Sequence, residues 1–277
     1  RAMIPDPAPA SGAEGGILDA LDSAAIQAHW PGHFPLPELR VFEEIDSTNA
    51  WLGRARRDGA RGPLICCADF QMAGRGRRGR SWIMPPRAGL AMSILWNTSD
   101  WPLPDPRVAL AAGVVVVRCL ESLGARGLSL KWPNDVLLDG RKLAGLLIEA
   151  SQQGGDSGLI LGLGLNLRLP EDLDVGQAHA DLLASGIAPL PSRNRLAALL
   201  LHDLLLMLTR FPRPGFADYH PDWLERDASL GRRVRVSGAH SLEGRAAGVD
   251  ELGRLCIDVD GRRHCIESGE ISLRECP

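Results

Sequence analysis

Val136-Leu137-Leu138-Asp139-Gly140-Arg141-Lys142-Leu143-Ala144-Gly145 reads as two β-strands folded back on one another. Asp139-Gly140 is the dipeptide of a type I′ turn, and the apolar runs Val136 to Leu138 and Lys142 to Ala150 flank it. A second turn at Gly154-Gly155 leads into Leu159 to Leu167, a third antiparallel strand, so the segment predicts a meander whose central strand carries Lys142 and Gly145. Gly162, Gly164 and Asn166 alternate along the third strand and share one face. Two missing side chains leave a groove for a ligand to approach; the same glycines are equally those of a β-bulge.

Strands continue outward from this meander. Val41 to Ile45, Pro63 to Phe70, Gly89 to Trp96 and Leu128 to Trp132 have strand patterns, the last stopped by Pro133. Ser47 or Thr48 offers an N-cap for a helix through Ala50, Trp51 and Leu52; Val108 to Leu123 reads as a packed helix ended by Gly124. Ser192 caps a long helix from Arg195 to Arg210, with leucines nearly all round. After Asp227 short alternating runs separated by Gly and Asp turns, Val234 to Val236, Gly244 to Val249, Arg254 to Val259, Arg262 to Ile266 and Ile271 to Leu273, predict a small β-barrel. The leader is a mobile Pro/Ala/Gly arm over Ile4 to Gly16 and a short helix over Ile17 to Ala28, too little for an independent winged helix. The expected organisation is an arm (1–39), a mixed α+β domain (40–227) and a small all-β domain (228–277).

Immediately after the second predicted strand comes Gln71-Met72-Ala73-Gly74-Arg75-Gly76-Arg77-Arg78-Gly79-Arg80-Ser81-Trp82. Three glycines and four arginines fall within Gly74 to Arg80. Glycines let backbone N–H groups turn toward an anion, and arginines add forked, permanently charged donors matched to phosphate or carboxylate. Gly74, Gly76 and Gly79 meet the GxGxxG spacing, but arginines fill the gaps and no helix pattern follows, so this is not a dinucleotide fingerprint. Lys131-Trp132-Pro133-Asn134-Asp135 and Arg141-Lys142-Leu143-Ala144-Gly145 form a second constellation. Lys142 can act as a point charge between two anions or sit as an outward hairpin residue; Asp135 fits a turn better than a magnesium site. Ser47-Thr48-Asn49 offers two hydroxyls and an amide to a small polar ring system, or a helix cap.

Composition narrows the classes. The 277 residues are 45% hydrophobic and 23% charged, with 31 Lys+Arg against 34 Asp+Glu, a net charge of -3 that excludes binding to nucleic acid through overall charge. Six cysteines without CxxC pairs, no apolar stretch near the roughly 20 residues of a membrane span, and no signal pattern predict a soluble cytoplasmic protein. No Walker GxxxxGK[ST], HExxH or GxSxG motif is present.

Taken together and in order, Asp46-Ser47-Thr48-Asn49, Gln71 to Trp82, Lys131 to Asp135, Arg141 to Gly145 and Gly162 to Asn166 resemble the motif set of the biotin protein ligases. The resemblance covers Val41 to Leu167, with Gly231 to Arg274, including Gly269-Glu270-Ile271-Ser272, similar to the family's SH3-like C-terminal domain. It implies a mixed sheet with helices related to class II aminoacyl-tRNA synthetases. It also implies a two-step reaction: biotin and MgATP give biotinyl-5′-AMP and pyrophosphate, and biotin then passes to a lysine of the biotin carboxyl carrier protein of acetyl-CoA carboxylase.

By that resemblance Ser47, Thr48, Asn49, Gln71, Gly74, Arg75, Gly76, Arg77, Lys142, Gly145, Gly162 and Gly164 are expected around biotin. Arg78, Arg80, Trp82, Asn134, Asp135, Lys142 and Asn166 are expected near the nucleotide, with Lys142, Arg75 and Arg78 carrying the chemistry and no certain protein ligand for Mg²⁺. Where some members stack an aromatic on adenine, this chain offers His179. The leader predicts no DNA binding, and a homodimer is compatible with the resemblance. Two other readings stand beside it: a lipoate protein ligase-like acyl-adenylate ligase, which shares the fold, and a non-catalytic RNA-binding module, against which the acidic net charge and few aromatics weigh.

Overall fold

The computed structural model describes residues 18–32, 34–101, 105, 107–153, 156–213, 215–237, 241–267 and 272–275. The expected arm over 4–16, the 154–155 turn, most of the 269–272 motif and Cys276 lie outside them.

Seven strands form the main sheet: β1 (Glu38–Ile45), β2 (Leu64–Gln71), β3 (Gly89–Asn97), β4 (Leu128–Lys131), β5 (Asp135–Leu138), β6 (Arg141–Gln153) and β7 (Asp156–Asn166). Their order is β1-β2-β3-β7-β6-β5-β4; only β1 and β2 run parallel, connected through helix α2 (Thr48–Arg57). The expected hairpin is present, with Asp139 and Gly140 at φ 46° and 75°.

The two faces of the sheet have different cover. Helices α3 (Arg107–Ser122) and α4 (Arg193–Arg210) pack on one face, over Ile65, Cys67, Leu90, Leu161, Leu163 and Leu165. On the other face Leu52 of α2 packs against Leu64, Cys66, Leu95 and Ile160. Neighbouring β2 residues therefore belong to different cores, which is why this strand reads as continuously apolar. Along β7 the α2 face carries Ile160, then Gly162 and Gly164; the core ends where the glycines begin.

The leader helix α1 covers Ser23–Ala28, shorter than the expected span from Ile17. Asp22 caps it by accepting from Ala25 N at 2.8 Å. The residues just before are held by α4 instead: Asp19 accepts from Arg193 N at 3.0 Å and from Asn194 Nδ2 at 2.8 Å. Arg193, fully buried, also reaches Asp69 on β2 and the Gly89 carbonyl on β3, so the leader, α4 and the sheet share one polar clamp.

After a short helix α5 (His220–Glu225) the chain crosses the sheet edge. Leu130 N donates to Arg226 O at 2.7 Å and Ala228 N to Leu130 O at 2.8 Å, so the expected boundary near Asp227 is stitched to β4. Beyond it, β8 (Arg233–Ser237), β9 (Leu242–Val249), β10 (Leu255–Val259), β11 (Arg262–Ile266) and β12 (Ser272–Glu275) form an antiparallel sheet in the order β11-β10-β9-β8-β12. Its β9–β10 turn docks on the main domain, where Gly253 O accepts from Trp132 Nε1 at 3.1 Å.

Candidate active site

A cleft of about 710 Å³ opens on the α2 face of the sheet, and Gly162 and Gly164 are among the residues lining it. At one end is a polar cup. Ser47 accepts from Ala50 N at 3.4 Å as the N-cap of α2, so the capping reading of this residue holds while its side chain also lines the cleft. Gln71 Oε1 accepts from Thr48 N and Thr48 Oγ1 at 2.8 and 3.1 Å. Thr48 Oγ1 lies 2.7 Å from Ser93 Oγ, which donates to Asn49 Oδ1 at 2.6 Å. Asn49 Nδ2 in turn donates to Glu149 Oε2 at 2.8 Å, and Glu149 Oε1 pairs with Arg75 Nη2 at 2.9 Å. A continuous chain of polar groups thus runs from the cup to the arginine loop.

That loop is a tight hairpin. Gly76 N donates to Arg80 O at 2.7 Å and Trp82 N to Gly74 O at 2.9 Å. A Cβ on Gly74 would collide with the Trp82 carbonyl oxygen, so this glycine is required by backbone approach. Arg78 adopts φ 59° and, with Arg80, is exposed with no ion pair among the described residues. Arg77 approaches Asn134 Oδ1 at 3.5 Å; burial lowers its pKa, Arg78 and Arg80 add to that by repulsion, and Asp135 opposes it.

Lys142 is not an outward hairpin residue. Its side chain is only 18% exposed, with Nζ 2.8 Å from Asp135 Oδ1 and 5.5 Å from the Trp82 ring centre. Asp135 is correspondingly neither a turn residue nor an open carboxylate: it begins β5 and faces Lys142. Asn134 Nδ2 donates to Leu146 O at 2.5 Å.

The glycines of β7 mark no bulge. The ladders to β3 and β6 run unbroken through Gly162 and Gly164. They admit side chains of the protein itself: a Cβ at Gly162 would strike Asn49 Oδ1, and one at Gly164 would strike the Trp82 ring, which also lies against Gly145. Trp82 Nε1 is buried without a hydrogen-bond partner. Behind that ring a smaller cavity of about 30 Å³ is lined by Lys142, Asn166, Gln177 and His179 among others. Asn166 reaches only this cavity, and its Nδ2 donates to Ala180 O at 3.0 Å.

Every other residue expected at the site lines the main cleft except Gly74, which shapes its loop from behind. Lys131, quoted in the second constellation without a role of its own, also lines the cleft; Ser93, Glu149 and the 175–177 segment were not anticipated, and of these all but Glu149 line it. Two of them left a trace in the sequence: Ser93 and Glu149 are polar residues inside otherwise apolar strands. In charge the lining is lopsided. Among the described residues of the lining, Arg75, Arg77, Arg78, Arg80, Lys131 and Lys142 face a single carboxylate, Asp135. Such a cleft takes a neutral polar head at one end and dense negative charge at the other.

The profile of the biotin/lipoate A/B protein ligase family matches residues 41–166, and that of the biotin protein ligase C-terminal domain matches residues 229–274. The chain is 37% identical over 244 residues to the bifunctional ligase/repressor BirA of Escherichia coli, across 85% of this chain and 74% of that protein. It is 36% identical over 242 residues to the biotin acetyl-CoA-carboxylase ligase of Mycobacterium tuberculosis, across 84% of this chain and 88% of that one. Among solved structures it resembles the biotin protein ligase of Aquifex aeolicus in complex with biotin and ATP, with a TM-score of 0.75 at 28% identity over 86% of this chain and 99% of the other.

Proposed function

The chain belongs to the biotin protein ligases, and from that premise we propose how its own residues carry out the ligation. It is an ATP-dependent ligase that activates biotin and passes it to a carboxylase carrier protein. The observation that carries the residue-level reading is the juxtaposition, in one cleft, of an uncharged polar cup with a wall of six cations.

The cup of Ser47, Thr48, Asn49, Gln71 and Ser93 receives the ring of biotin, whose neutral urea-like head needs donors and acceptors but no charge. The chain of biotin then runs from the cup toward Lys142. In the first step a biotin carboxylate oxygen forms a bond to the α-phosphorus of ATP while the bond to the β-phosphate oxygen breaks, and pyrophosphate leaves. Two anions must meet and charge grows on phosphorus, so fixed cations supply most of the acceleration. Lys142 acts as the point charge between carboxylate and α-phosphate; Arg75, Arg77 and Arg78 close over the carboxylate and the polyphosphate.

Magnesium enters with the nucleotide as MgATP. The ion would be held chiefly by the phosphates and would supply charge withdrawal from the leaving pyrophosphate; Asp135, the one carboxylate among the described residues lining the cleft, is paired with Lys142 at 2.8 Å and would reach the ion only by turning from it. In the second step the carrier's lysine amine attacks the acyl carbon, the amide forms, AMP departs and the amine proton is lost to solvent. No protein nucleophile is required.

The lipoate reading is disfavoured by a cup lined with hydroxyls and amides where an apolar chain would need apolar walls. The RNA reading is disfavoured because the cations converge on one cleft instead of spreading along a surface. Before β1, residues 18–37 supply one six-residue helix packed on α4, so ligation rather than operator binding is the activity proposed for the described residues. No described helix is long and apolar enough to cross a membrane.

The purified chain with ATP, biotin and a biotin carrier domain is expected to biotinylate that domain, and to release pyrophosphate in a biotin-dependent manner without it. Release driven by lipoate and not by biotin would replace this reading with the first rival. Tight, salt-sensitive RNA binding without adenylation would replace it with the second.

A further inference from the structure

Cys256 and Cys265 face each other across the β10–β11 hairpin, outside the cleft and unused by the reaction above. Their placement follows from the turn. Asp260 and Gly261, at φ 48° and 77°, make the two-residue type I′ connection between these strands. In such a hairpin the closing pair, Val259 and Arg262, is hydrogen-bonded. Counting back along the ladder, Asp258 and Arg263 form a non-hydrogen-bonded pair, Ile257 and His264 a bonded one, and Cys256 and Cys265 a non-hydrogen-bonded pair again.

At positions of that kind the Cα atoms approach to about 4.5 Å, within the roughly 4.4–6.8 Å that a disulfide spans. The two Sγ atoms lie 2.9 Å apart. No other described cysteine has such a partner. Cys66 and Cys67 are neighbours on β2 that enter separate cores, and Cys119 is buried within α3.

A metal ion is the rival occupant, because an Asp250 oxygen lies within 4.8 Å of both sulfurs. That carboxylate is already saturated. Arg254 Nε and Nη2 donate to Oδ2 at 2.8 and 2.7 Å, and the amides of Leu252 and Arg254 donate to Oδ1 at 3.1 and 2.8 Å. A dication would meet the Arg254 guanidinium at the site and Arg263 beside it.

We propose that Cys256 and Cys265 form a reversible disulfide when the protein meets a low-molecular-weight disulfide such as oxidised glutathione. Exposure sets the order of events: Cys265 is open to solvent and Cys256 is buried. The Cys265 thiolate attacks one sulfur of the small disulfide, forming a mixed disulfide and releasing the first small thiolate, which takes up a proton. Cys256 then gives up its proton to solvent and attacks Cys265 Sγ, displacing the second. Two protein thiols are oxidised, and one small disulfide is reduced to two thiols. Burial pushes the Cys256 thiol up to about 12, which suits it to resolve the mixed disulfide rather than to begin the exchange. The new bond ties down the strand leaving the 250–254 turn, the same turn whose Gly253 carbonyl holds Trp132 beside the cleft.

The test uses the intact chain, treated with oxidised glutathione, denatured and alkylated. Before alkylation the expected product is lighter than the reduced chain by two hydrogen atoms; after it the product carries two fewer alkyl groups and yields a peptide joining Cys256 to Cys265 that dithiothreitol separates. Cys256→Ser is expected to stop with one glutathione attached to Cys265. Wild-type protein that also stops at the mixed disulfide, or that keeps both thiols alkylatable, would overturn the proposal. So would wild-type protein that retains added zinc through gel filtration while Cys265→Ser does not.

Discussion

Lys142 Nζ lies 2.8 Å from Asp135 Oδ1 across the β5–β6 hairpin, with both side chains more than three-quarters buried. Their backbones are not opposite one another. Asp135 pairs with Gly145 and Leu137 with Lys142, while Val136 pairs with Ala144, which leaves Leu143 as the extra residue of a bulge. Simple alternation would put Lys142 and Gly145 on opposite faces; the bulge turns Lys142 onto the cleft face and sends Leu143 into the core.

Replacing that cation should stop the first step without unfolding the chain. Lys142→Ala is expected to lower biotin-dependent pyrophosphate release by at least about 10²-fold, with an unchanged circular dichroism spectrum. Wild-type rates in this variant would remove Lys142 from the mechanism.

Glu149 joins the polar cup to the arginine loop, one oxygen on Asn49 and the other on Arg75. In Glu149→Ala both partners lose their anchor, and the KM for biotin should rise roughly tenfold, equivalent to about 1.4 kcal/mol, with kcat little altered. Glu149→Gln keeps an acceptor for Asn49 and should recover part of the loss. Steady-state kinetics with biotin varied would read both; an unchanged KM in the alanine variant would mean that the connection does not matter to binding.

The loop over 72–81 concentrates Arg75, Arg77, Arg78 and Arg80, and like charges repel until an anion gathers them. Its amides should gain protection from hydrogen exchange when biotin and ATP are added together. Gly74→Ala, which forces a side chain against the Trp82 carbonyl, should abolish that gain and weaken biotin binding by calorimetry. Equal exchange with and without ligands would argue against closure.

A pH effect is expected at the start of α2. The Arg54 guanidinium hydrogen-bonded to Asp46 holds its carboxyl down to about 2. Because the folded value lies below the unfolded one, this pair stabilises the fold above the usual carboxylate range, and the benefit is lost as pH falls from about 4 toward 2. Both side chains are at least 40% exposed, so solvent screening limits the effect to about 0.2–1 kcal/mol. Thermal unfolding should place Asp46→Asn about 1–3 °C below wild type at pH 6, with the gap narrowing below pH 4. A gap that stays constant to pH 3 would contradict this assignment.

Much of the site was legible because its cations crowd together beyond any need of a turn. Four arginines among three glycines between Gly74 and Arg80 would only repel one another in a structural turn, so they announce an anion. Asp139-Gly140 specified its hairpin through backbone sterics alone, and the strands and long helices emerged within a few residues of their expected limits. Ser93 and Glu149 stayed hidden because they reach Asn49 from strands 44 and 100 residues away, and periodicity tells which face a residue takes without telling what stands above it. Asn166 seemed destined for the ligand, yet its amide holds Ala180 O, a contact that only the packed return of the chain creates.

By itself the sequence determined the chemistry available to this protein: which groups carry charge, where the backbone must turn, and which strands alternate. Those properties reside in single residues and their near neighbours. Only the tertiary structure decided that Lys142 shares a face with Gly145, that Trp82 covers Gly164, and that one carboxylate joins the cup to the loop. Each of these depends on register, on a single inserted residue, or on two distant strands lying side by side, and such relations exist only once the sheet has closed.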